Sequence, residues 1–145
     1  MQQLLQILVA GGDRRQQYAA QKLAESPQLS VTTIGFSPSD SETLPEFDVL
    51  VLPIHTTAES VPSQNGNLSL PELLSHVKKG GLVCGGVLPE AVCRMCQEQE
   101  LCFCDYFQRE ELCLANAVPT VEGAIQIAIS ERETMLCGSS VLVIG

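Results

Sequence analysis

The sequence has no tryptophan, two tyrosines and four phenylalanines among its 145 residues. Its hydrophobic core must therefore be built mainly from Leu, Ile, Val, Ala and Cys side chains. Basic residues are also few, with eight Lys and Arg against 17 Asp and Glu, which gives a formal net charge of −9. Because nucleic acids and anionic membranes bind basic surfaces, this composition disfavours both as partners.

The sequence also lacks an unbroken apolar run of the length that spans a bilayer, about 18 residues. The first residues, Met-Gln-Gln, provide no basic segment ahead of an apolar stretch, which a secretion signal needs. We therefore expect an acidic, cytoplasmic protein without a membrane partner, of the size of one ordinary domain.

Cysteines are plentiful by comparison, with seven in the chain. Cys93 and Cys96 form a CxxC pair, and Cys102 and Cys104 form a CxC pair. Four thiolates this close together could bind zinc. However, no glycine-containing turn flanks either pair, and the pairs fit a helix and a strand in which small thiols are ordinary core residues. We predict that all seven cysteines are reduced and that no metal is bound.

Apolar, strand-like segments alternate along the chain with segments of helical periodicity. Strands are predicted at 4–10, 30–36, 48–54, 81–87 and 101–107, and helices at 13–26, 70–80, 88–100 and 120–133. This alternation is typical of a parallel sheet that is covered on both faces. The predicted fold is thus a three-layer α/β fold of the flavodoxin or Rossmann type, with five parallel strands in the order 2-1-3-4-5 and helices on both faces.

In such sheets a ligand binds beyond the carboxyl ends of the strands. The segment GGDRRQ follows the first strand but lacks the third glycine of a GxGxxG motif, which makes dinucleotide binding there a weak interpretation. Asp13 and Gln16 have the spacing of a capping box at a helix start. Gly11 and Gly12, which have no side chains, would let a ligand approach the backbone.

Two arginines at the start of the same helix are harder to explain by stability. Cations at a helix N-terminus oppose the helix dipole, at a cost of about 0.3 to 1 kcal/mol each. Arg14 and Arg15 would instead suit a carboxylate or a phosphate beside free backbone N–H groups. The alternative interpretation is a solvated surface pair.

His55 follows the third predicted strand and begins a polar loop of about fifteen residues, long enough for a lid. A histidine there could serve as an acid or a base, so His55 is the candidate catalytic residue, against the alternative of an ordinary surface histidine. Thr56 and Thr57 lie at the same strand end and are candidate substrate contacts.

The segment NAVPTVEGAI precedes the last predicted helix. Pro119 suits a first helical turn, and Glu122 complements the helix dipole there. These structural roles do not require Asn116 or Thr120, so we expect their polar groups to face the strand ends and to bind substrate together with Glu122.

Four segments together resemble the family of the dipicolinate synthase A subunit: VAGGDRRQ, VLPI, NAVPTVEGAI and GSSVLVIG. The resemblance covers nearly the whole chain but only the amino-terminal half of the family's protein. The residues that occupy the family's motif positions are Gly11, Gly12, Asp13, Arg15, Gln16, Pro119, Thr120, Val121, Glu122 and Gly123. His55 and the cysteines match no motif of the family.

The resemblance implies a domain organisation. Residues 1–137 would form the substrate-side domain, and residues 138–145 would begin an NAD(P)-binding Rossmann domain. The run Val141 to Ile144 would be the first strand of that second domain, and Gly145 the first glycine of its phosphate-binding loop. The chain is therefore expected to end at a domain boundary, to lack the cofactor site, and to be inactive by itself.

The resemblance also implies a reaction. The family forms dipicolinate, the calcium chelator of spores, by oxidising a hydroxytetrahydrodipicolinate-derived intermediate with NADP, and it works together with a second, flavoprotein-like subunit. A dicarboxylate substrate agrees with the arginines, and Arg15 ranks above Arg14 because it alone matches the family's arginine. A second copy of the chain, in a homo-oligomer, is a further candidate partner.

Two other functions compete with this one. The chain could be the substrate domain of a different NAD(P)-dependent dehydrogenase of the D-2-hydroxyacid type, which has the same two-domain plan. It could also be a non-enzymatic interaction module of the flavodoxin-like fold. A receiver-type module would carry an acidic cluster after the first strand, where this chain has glycines and arginines.

Overall fold

The computed structural model describes residues 4–37, 44–133 and 135–144. The chain divides into two compact units, one that runs up to Gln108 and one that runs from Arg109 onward. The first unit holds β1 (Leu5–Ala10), α1 (Arg14–Ala24), β2 (Leu29–Ile34), β3 (Phe47–Val51), β4 (Ser60–Val61), β5 (Leu68–Ser69), α2 (Leu70–Ser75), β6 (Val77–Gly85), α3 (Glu90–Glu98), β7 (Cys102–Asp105) and a 3-10 helix (Tyr106–Gln108). The second unit holds α4 (Glu110–Ser130).

Five strands of the first unit form a parallel sheet in the order β2-β1-β3-β6-β7. This is the predicted 2-1-3-4-5 order, and the predicted α/β fold is confirmed. The central strand β1 pairs with β2 on one side and β3 on the other, and Leu8 lies opposite Thr32 and Leu50. Because all five strands are parallel, their carboxyl ends lie along one edge of the sheet.

Alternate side chains of the strands pack on opposite faces of the sheet. On one face, Leu8 and Leu50 join the buried core residues of α2 and α3, such as Leu74 and Val92. On the other face, a smaller cluster contains Ile7, Val9 and Ala20, the last of which belongs to α1. The burial of β1 on both faces explains why its sequence is a continuous apolar run rather than an alternating one.

Two predicted elements differ in the first unit. The predicted loop at 55–69 contains an antiparallel hairpin of two short strands, β4 and β5. The predicted helix at 70–80 ends at Ser75 instead, because Val77 pairs with Phe47 and opens β6. Gly80 and Gly81 favour this outcome, since glycine is among the weakest helix formers.

In the second unit the predicted helix start is wrong. α4 begins at Glu110, and Pro119 lies inside it rather than in its first turn. Glu110 and Glu111 in the first turn complement the helix dipole, so the chain enters a helix nine residues before the proline. Inside the helix Pro119 removes one hydrogen bond and crowds the carbonyl four residues earlier.

The chain after α4 also differs from expectation. Residues 141–144, predicted as a strand, have no regular secondary structure and are largely exposed, with Val141 at 75% and Ile144 at 89%. A strand requires a neighbour that accepts its backbone hydrogen bonds, and none of the described strands pairs with this segment. Gly145, the predicted first glycine of a phosphate loop, lies outside the described residues. The predicted domain boundary at residue 138 concerns a domain that would follow, and it stays a prediction.

α4 is long and apolar enough, by length and composition, to cross a membrane. The sequence analysis considered only unbroken apolar runs and so did not identify this helix, which contains polar residues but in which Glu122 is the one charged side chain between residues 113 and 130. Its large apolar residues, such as Leu114 at 65% and Ile127 at 64%, are exposed. One helix of this kind is weak evidence for a membrane segment, because helices that pack against other protein surfaces have the same composition.

Candidate functional site

The turns at the carboxyl edge of the sheet contain strained backbone. His55, after β3, has a φ of 65°, and Val87, after β6, has a φ of 56°. A left-handed conformation is rare for residues other than glycine and is a genuine outlier for a β-branched residue such as valine. Glu100, just before β7, has a φ of 57° as well. The candidate site is therefore assigned to this edge because ligands bind beyond the carboxyl ends of parallel strands, as the sequence predicts.

The two glycines after β1 make room for protein rather than for a ligand. The N–H of Gly11 donates to the carbonyl of Ile34 at 2.8 Å, and the N–H of Gly12 donates to the carbonyl of Pro62 at 2.7 Å. A Cβ atom on Gly11 would collide with that same Pro62 carbonyl, and one on Gly12 would lie 3.0 Å from Pro53 Cβ. The expectation that these backbone groups are open to a ligand is thus corrected: their N–H groups bind the end of β2 and the segment after β4, and Gly12 leaves room for Pro53 in the turn after β3.

Asp13 and Arg15 form one polar unit at the start of α1. The Asp13 carboxylate caps the helix by accepting from the Arg15 backbone N–H at 2.9 Å, and it binds the Arg15 side chain through Nε at 3.0 Å and Nη2 at 2.7 Å. The hydrogen bonds from Arg15 hold the pKa of Asp13 below its ordinary value, and Asp13 in turn raises the pKa of Arg15. Asp13 therefore occupies the anion position at this helix N-terminus.

The Arg15 guanidinium keeps unused donors after this pairing. Nη1 and the second hydrogen of Nη2 have no partner among the residues that the structure describes. The Arg15 side chain is 73% exposed, so these donors can reach a ligand in solution. Arg14 is also exposed, but Asp13 does not orient it. Arg15 is thus the better placed of the two candidate arginines.

Gln16 does not complete the predicted capping box. Gln16 is 9% exposed, and its side-chain Nε2 is a buried donor that has no hydrogen-bond partner in the described part of the chain. Asp13 caps through the Arg15 N–H, which leaves the glutamine side chain turned inward beside Gly12. A buried amide donor without a partner is costly.

The three candidate residues after β3 have different surroundings. Thr56 is buried, and its hydroxyl donates to the Pro53 carbonyl at 2.9 Å, which closes the turn. The Thr57 hydroxyl oxygen accepts from the Ser60 N–H at 3.0 Å and so anchors the start of β4. These bonds give both threonines a structural role. His55 is exposed, so its ring is available to a ligand at this edge.

The turn after β7 contributes a residue that sequence reasoning missed. The Tyr106 hydroxyl donates to the Leu52 carbonyl, at the end of β3, over a distance of 3.2 Å. Burial and the neighbouring Asp105 raise the pKa of this phenol, whereas Arg15 acts in the opposite direction. The available signal was the position of Tyr106, one of two tyrosines in the sequence, near the carboxyl end of the strand predicted at 101–107. That strand ends earlier, at Asp105, so Tyr106 lies in the turn that follows it.

Asp105 fixes this turn to the turn after β6. Its carboxylate accepts from the backbone N–H groups of Val87 at 3.1 Å, Leu88 at 2.9 Å and Phe107 at 2.9 Å. Gly86 lies beneath the aromatic rings, since a Cβ there would be 2.6 Å from Tyr106 Cε2. These contacts therefore fix the orientation of Tyr106 over the sheet edge.

The remaining candidates lie on α4, in the second unit. The Thr120 hydroxyl donates back to the Asn116 carbonyl at 2.9 Å, within the helix. Glu122 lines a shallow apolar groove of about 450 Å³ together with Ile125, Gln126, Ile129 and Ser130. Asn116, Thr120 and Glu122 thus belong to a continuous helix rather than to a turn at a strand end, and their predicted contact with substrate stays a prediction.

The cysteines do not form a metal centre in the described residues, where no group of three or more His, Cys, Asp or Glu side chains is close enough to hold an ion. All seven are thiols rather than members of disulfides. Burial raises the pKa of the Cys96 thiol to about 11 and also raises that of Cys84. Protonated, buried thiols of this kind behave as core residues.

The sequence profile of the N-terminal domain of the dipicolinate synthase A subunit matches residues 6–107. The chain is 28% identical to the A subunit of dipicolinate synthase from Bacillus subtilis (strain 168) over 160 residues, which cover 97% of this chain and 53% of that protein. The chain thus spans about half the length of this curated relative.

Two crystal structures share the fold. The dipicolinate synthase A chain from Bacillus subtilis superposes with a TM-score of 0.72 at 23% sequence identity. The superposition covers 92% of this chain and 51% of the Bacillus subtilis chain. The dipicolinate synthase A subunit from Bacillus halodurans superposes with a TM-score of 0.80 at 22% identity, over 94% of this chain and 52% of its own.

Proposed function

The chain belongs to the family of the N-terminal domain of the dipicolinate synthase A subunit, and we propose that it is the substrate-facing domain of an enzyme that makes dipicolinate during sporulation. In this proposal the reaction oxidises a hydroxytetrahydrodipicolinate-derived intermediate with NADP. The cofactor would bind to a domain that follows this one, and a second, flavoprotein-like subunit would be the partner. The protein would act in the cytoplasm, without nucleic acid or membrane.

The orientation of Arg15 by Asp13 is the observation that carries this proposal. The protein has a net charge of −9, so an anionic substrate is repelled overall and needs a local cation. The planar guanidinium matches a carboxylate geometrically, and Asp13 holds it with Nη1 turned away from the ion pair. A charge-assisted contact of this kind contributes about 1.5 to 3 kcal/mol.

The other strand ends would complete the site. His55 is the candidate acid or base, because it is exposed at the end of β3 in a strained conformation. NADP, when bound, would supply the hydride acceptor. The role of this chain's own residues is then to hold the carboxylates and to move a proton, and the isolated domain is expected to be inactive.

A titration followed by amide NMR tests this function. Pyridine-2,6-dicarboxylate is added to the ¹⁵N-labelled chain, and NADP is added to a second sample. We expect the dicarboxylate to shift the amides of residues 13–16, 52–57, 86–88 and 105–107, and NADP to shift none. If the dicarboxylate at millimolar concentration shifts no amides, or shifts only amides in other parts of the chain, the proposal is overturned. Tight NADP binding would show that residues 11–16 form a nucleotide site instead.

A further inference from the structure

We propose that the Tyr106 hydroxyl binds the same substrate carboxylate as Arg15, and that it exchanges its hydrogen bond to the Leu52 carbonyl for this contact. This inference rests on the proposed function, because it names a second residue of the substrate site. It assigns a ligand-binding role to a residue that neither the family motifs nor the sequence pattern point to.

The geometry brings two distant strand ends together. β1 and β7 are separated by β3 and β6 in the sheet, a distance of about 14 Å at the usual spacing of strands. Tyr106 spans about two-thirds of this distance, since its hydroxyl reaches the Leu52 carbonyl at the end of β3. The next residue, Pro53, lies against Gly12, and α1 begins two residues after Gly12.

Tyr106 and Arg15 also act on each other electrostatically. Arg15 lowers the pKa of the Tyr106 phenol, although burial and Asp105 act more strongly and leave that pKa above its ordinary value. The phenol in turn raises the pKa of Arg15. The two residues are thus an O–H donor and a permanent cation at the same edge of the sheet, and a carboxylate accepts hydrogen bonds from both kinds of group.

The present partner of Tyr106 is easily replaced. Its bond to the Leu52 carbonyl measures 3.2 Å, which is longer than the usual range of 2.5 to 3.0 Å for an O–H···O hydrogen bond. A charged acceptor forms shorter and stronger bonds than a neutral carbonyl does. A carboxylate bound to Arg15 would thus be the better acceptor for the same hydroxyl.

The surroundings hold Tyr106 in place for this role. Asp105 binds three backbone N–H groups of the flanking turns, and the absence of a side chain at Gly86 lets the ring lie over the sheet edge. A ring held this way loses little conformational freedom when it binds a ligand, and such preorganisation favours affinity.

The experiment compares Tyr106→Phe with Tyr18→Phe in titrations of the chain with pyridine-2,6-dicarboxylate. Tyr18 is the matched control, because it is the other tyrosine of the chain and is 61% exposed on α1. We expect Tyr106→Phe to weaken binding about tenfold and Tyr18→Phe to leave it unchanged. In the double variant with Arg15→Gln, the two losses should be less than additive, since both residues bind one carboxylate.

The Tyr18→Phe protein provides a second readout in which Tyr106 itself is not altered. Tyr106 is then the one tyrosine left, so the ring-carbon NMR signals report on it alone. We expect the Cζ signal to move as the dicarboxylate binds. If the ligand binds and Arg15→Gln weakens it, while Tyr106→Phe binds normally and the Cζ signal stays still, this inference fails and the proposed function stands. If the unaltered chain does not bind the dicarboxylate, both fail.

Discussion

The Asp13 carboxylate accepts hydrogen bonds from the Arg15 backbone N–H at 2.9 Å and from Nε at 3.0 Å and Nη2 at 2.7 Å of the Arg15 side chain. The same carboxylate therefore caps α1 and orients the cation beside it. The two functions can be separated by substitution, because a cap needs only a side-chain oxygen whereas an ion pair needs a charge.

Asp13→Ala is expected to lower the free energy of unfolding by about 1 kcal/mol, the typical value of an N-cap. Asp13→Asn should keep nearly all of that stability, because Asn caps as well as Asp and the exposed ion pair contributes little. Urea unfolding at pH 7 measures both. A loss in Asp13→Asn as large as that in Asp13→Ala would assign the stability to the ion pair.

The pH dependence of the Asp13 contribution has a definite sign. Its pKa in the folded chain lies below the ordinary value, so folding is favoured by the ionised form. The part of the Asp13 contribution that depends on its charge is thus present above about pH 4, the pKa of an unfolded Asp, and is lost as the pH falls through the folded pKa, whereas the cap itself remains. The difference between the unaltered chain and Asp13→Ala should shrink over this range.

Gly11→Ala is expected to destabilise the fold more than Gly80→Ala does. Both glycines have a positive φ, 61° at Gly11 and 73° at Gly80, but a Cβ at Gly80 meets nothing within 4 Å whereas one at Gly11 collides with Pro62. Gly80→Ala should cost about 1 kcal/mol from the backbone alone, and Gly11→Ala about 2 kcal/mol more from the collision. If the two variants lose the same stability in thermal unfolding, the segment after β4 moves away from the new Cβ atom without an energetic cost.

The sheet is the part of this fold that the sequence predicts well. Strands such as β1 and β3 are buried on both faces, so they stand out as apolar runs, and the polar turns between them mark their ends. β4 and β5 have two residues each, which is too short for any periodicity. The end of α2 was not predicted because the strand conformation of Val77 depends on its pairing with Phe47. These two residues lie far apart in the sequence.

The candidate site was predicted in part for the same reason. Arg15 and His55 lie at strand ends that the sequence locates, whereas the occupied N–H groups of Gly11 and Gly12 depend on residues from β2 and the hairpin. The role of Tyr106 depends on a hydrogen bond to a residue 54 positions away. Sequence spacing holds no information about such contacts.

The rate at which each cysteine reacts with a thiol reagent should decrease as its burial increases. Cys96 is fully buried with a pKa of about 11, so in the folded chain it should be the slowest cysteine to react with a thiol reagent at pH 8, and Cys102 and Cys104, which are exposed, should react early. Mass spectrometry after timed alkylation identifies the modified residues. Early modification of Cys96 would show that α3 opens readily.

The same burial predicts a loss of stability at high pH. The folded pKa of Cys96 is raised, so its contribution is fully present below the unfolded value of about 8.5 and is lost as the pH rises toward about 11. Cys96→Val should reduce the fall of the melting temperature between pH 8.5 and 11. An unchanged fall would assign the effect to Cys84 and Tyr106, whose pKa values are raised as well.

Asp105→Ala is expected to remove three backbone hydrogen bonds to a charged group and to lower the free energy of unfolding by about 2 kcal/mol. Because the turn then loses its anchor, the dicarboxylate should also bind more weakly. Denaturant unfolding and calorimetric titration measure the two effects. Reduced stability with unchanged affinity would separate this turn from the substrate site.

The most direct test of the substrate site is the affinity of pyridine-2,6-dicarboxylate for Arg15→Gln compared with Arg14→Gln, measured by calorimetric titration at fixed ionic strength. Both variants remove one positive charge from the first turn of α1, so any general electrostatic effect is the same in each. We predict a loss of about ten- to a hundredfold for Arg15→Gln, a small loss for Arg14→Gln, and unchanged or slightly higher melting temperatures for both. Equal affinities in the two variants, or a melting temperature that falls in Arg15→Gln while the affinity holds, would show that Arg15 is structural and that the carboxylate binds elsewhere.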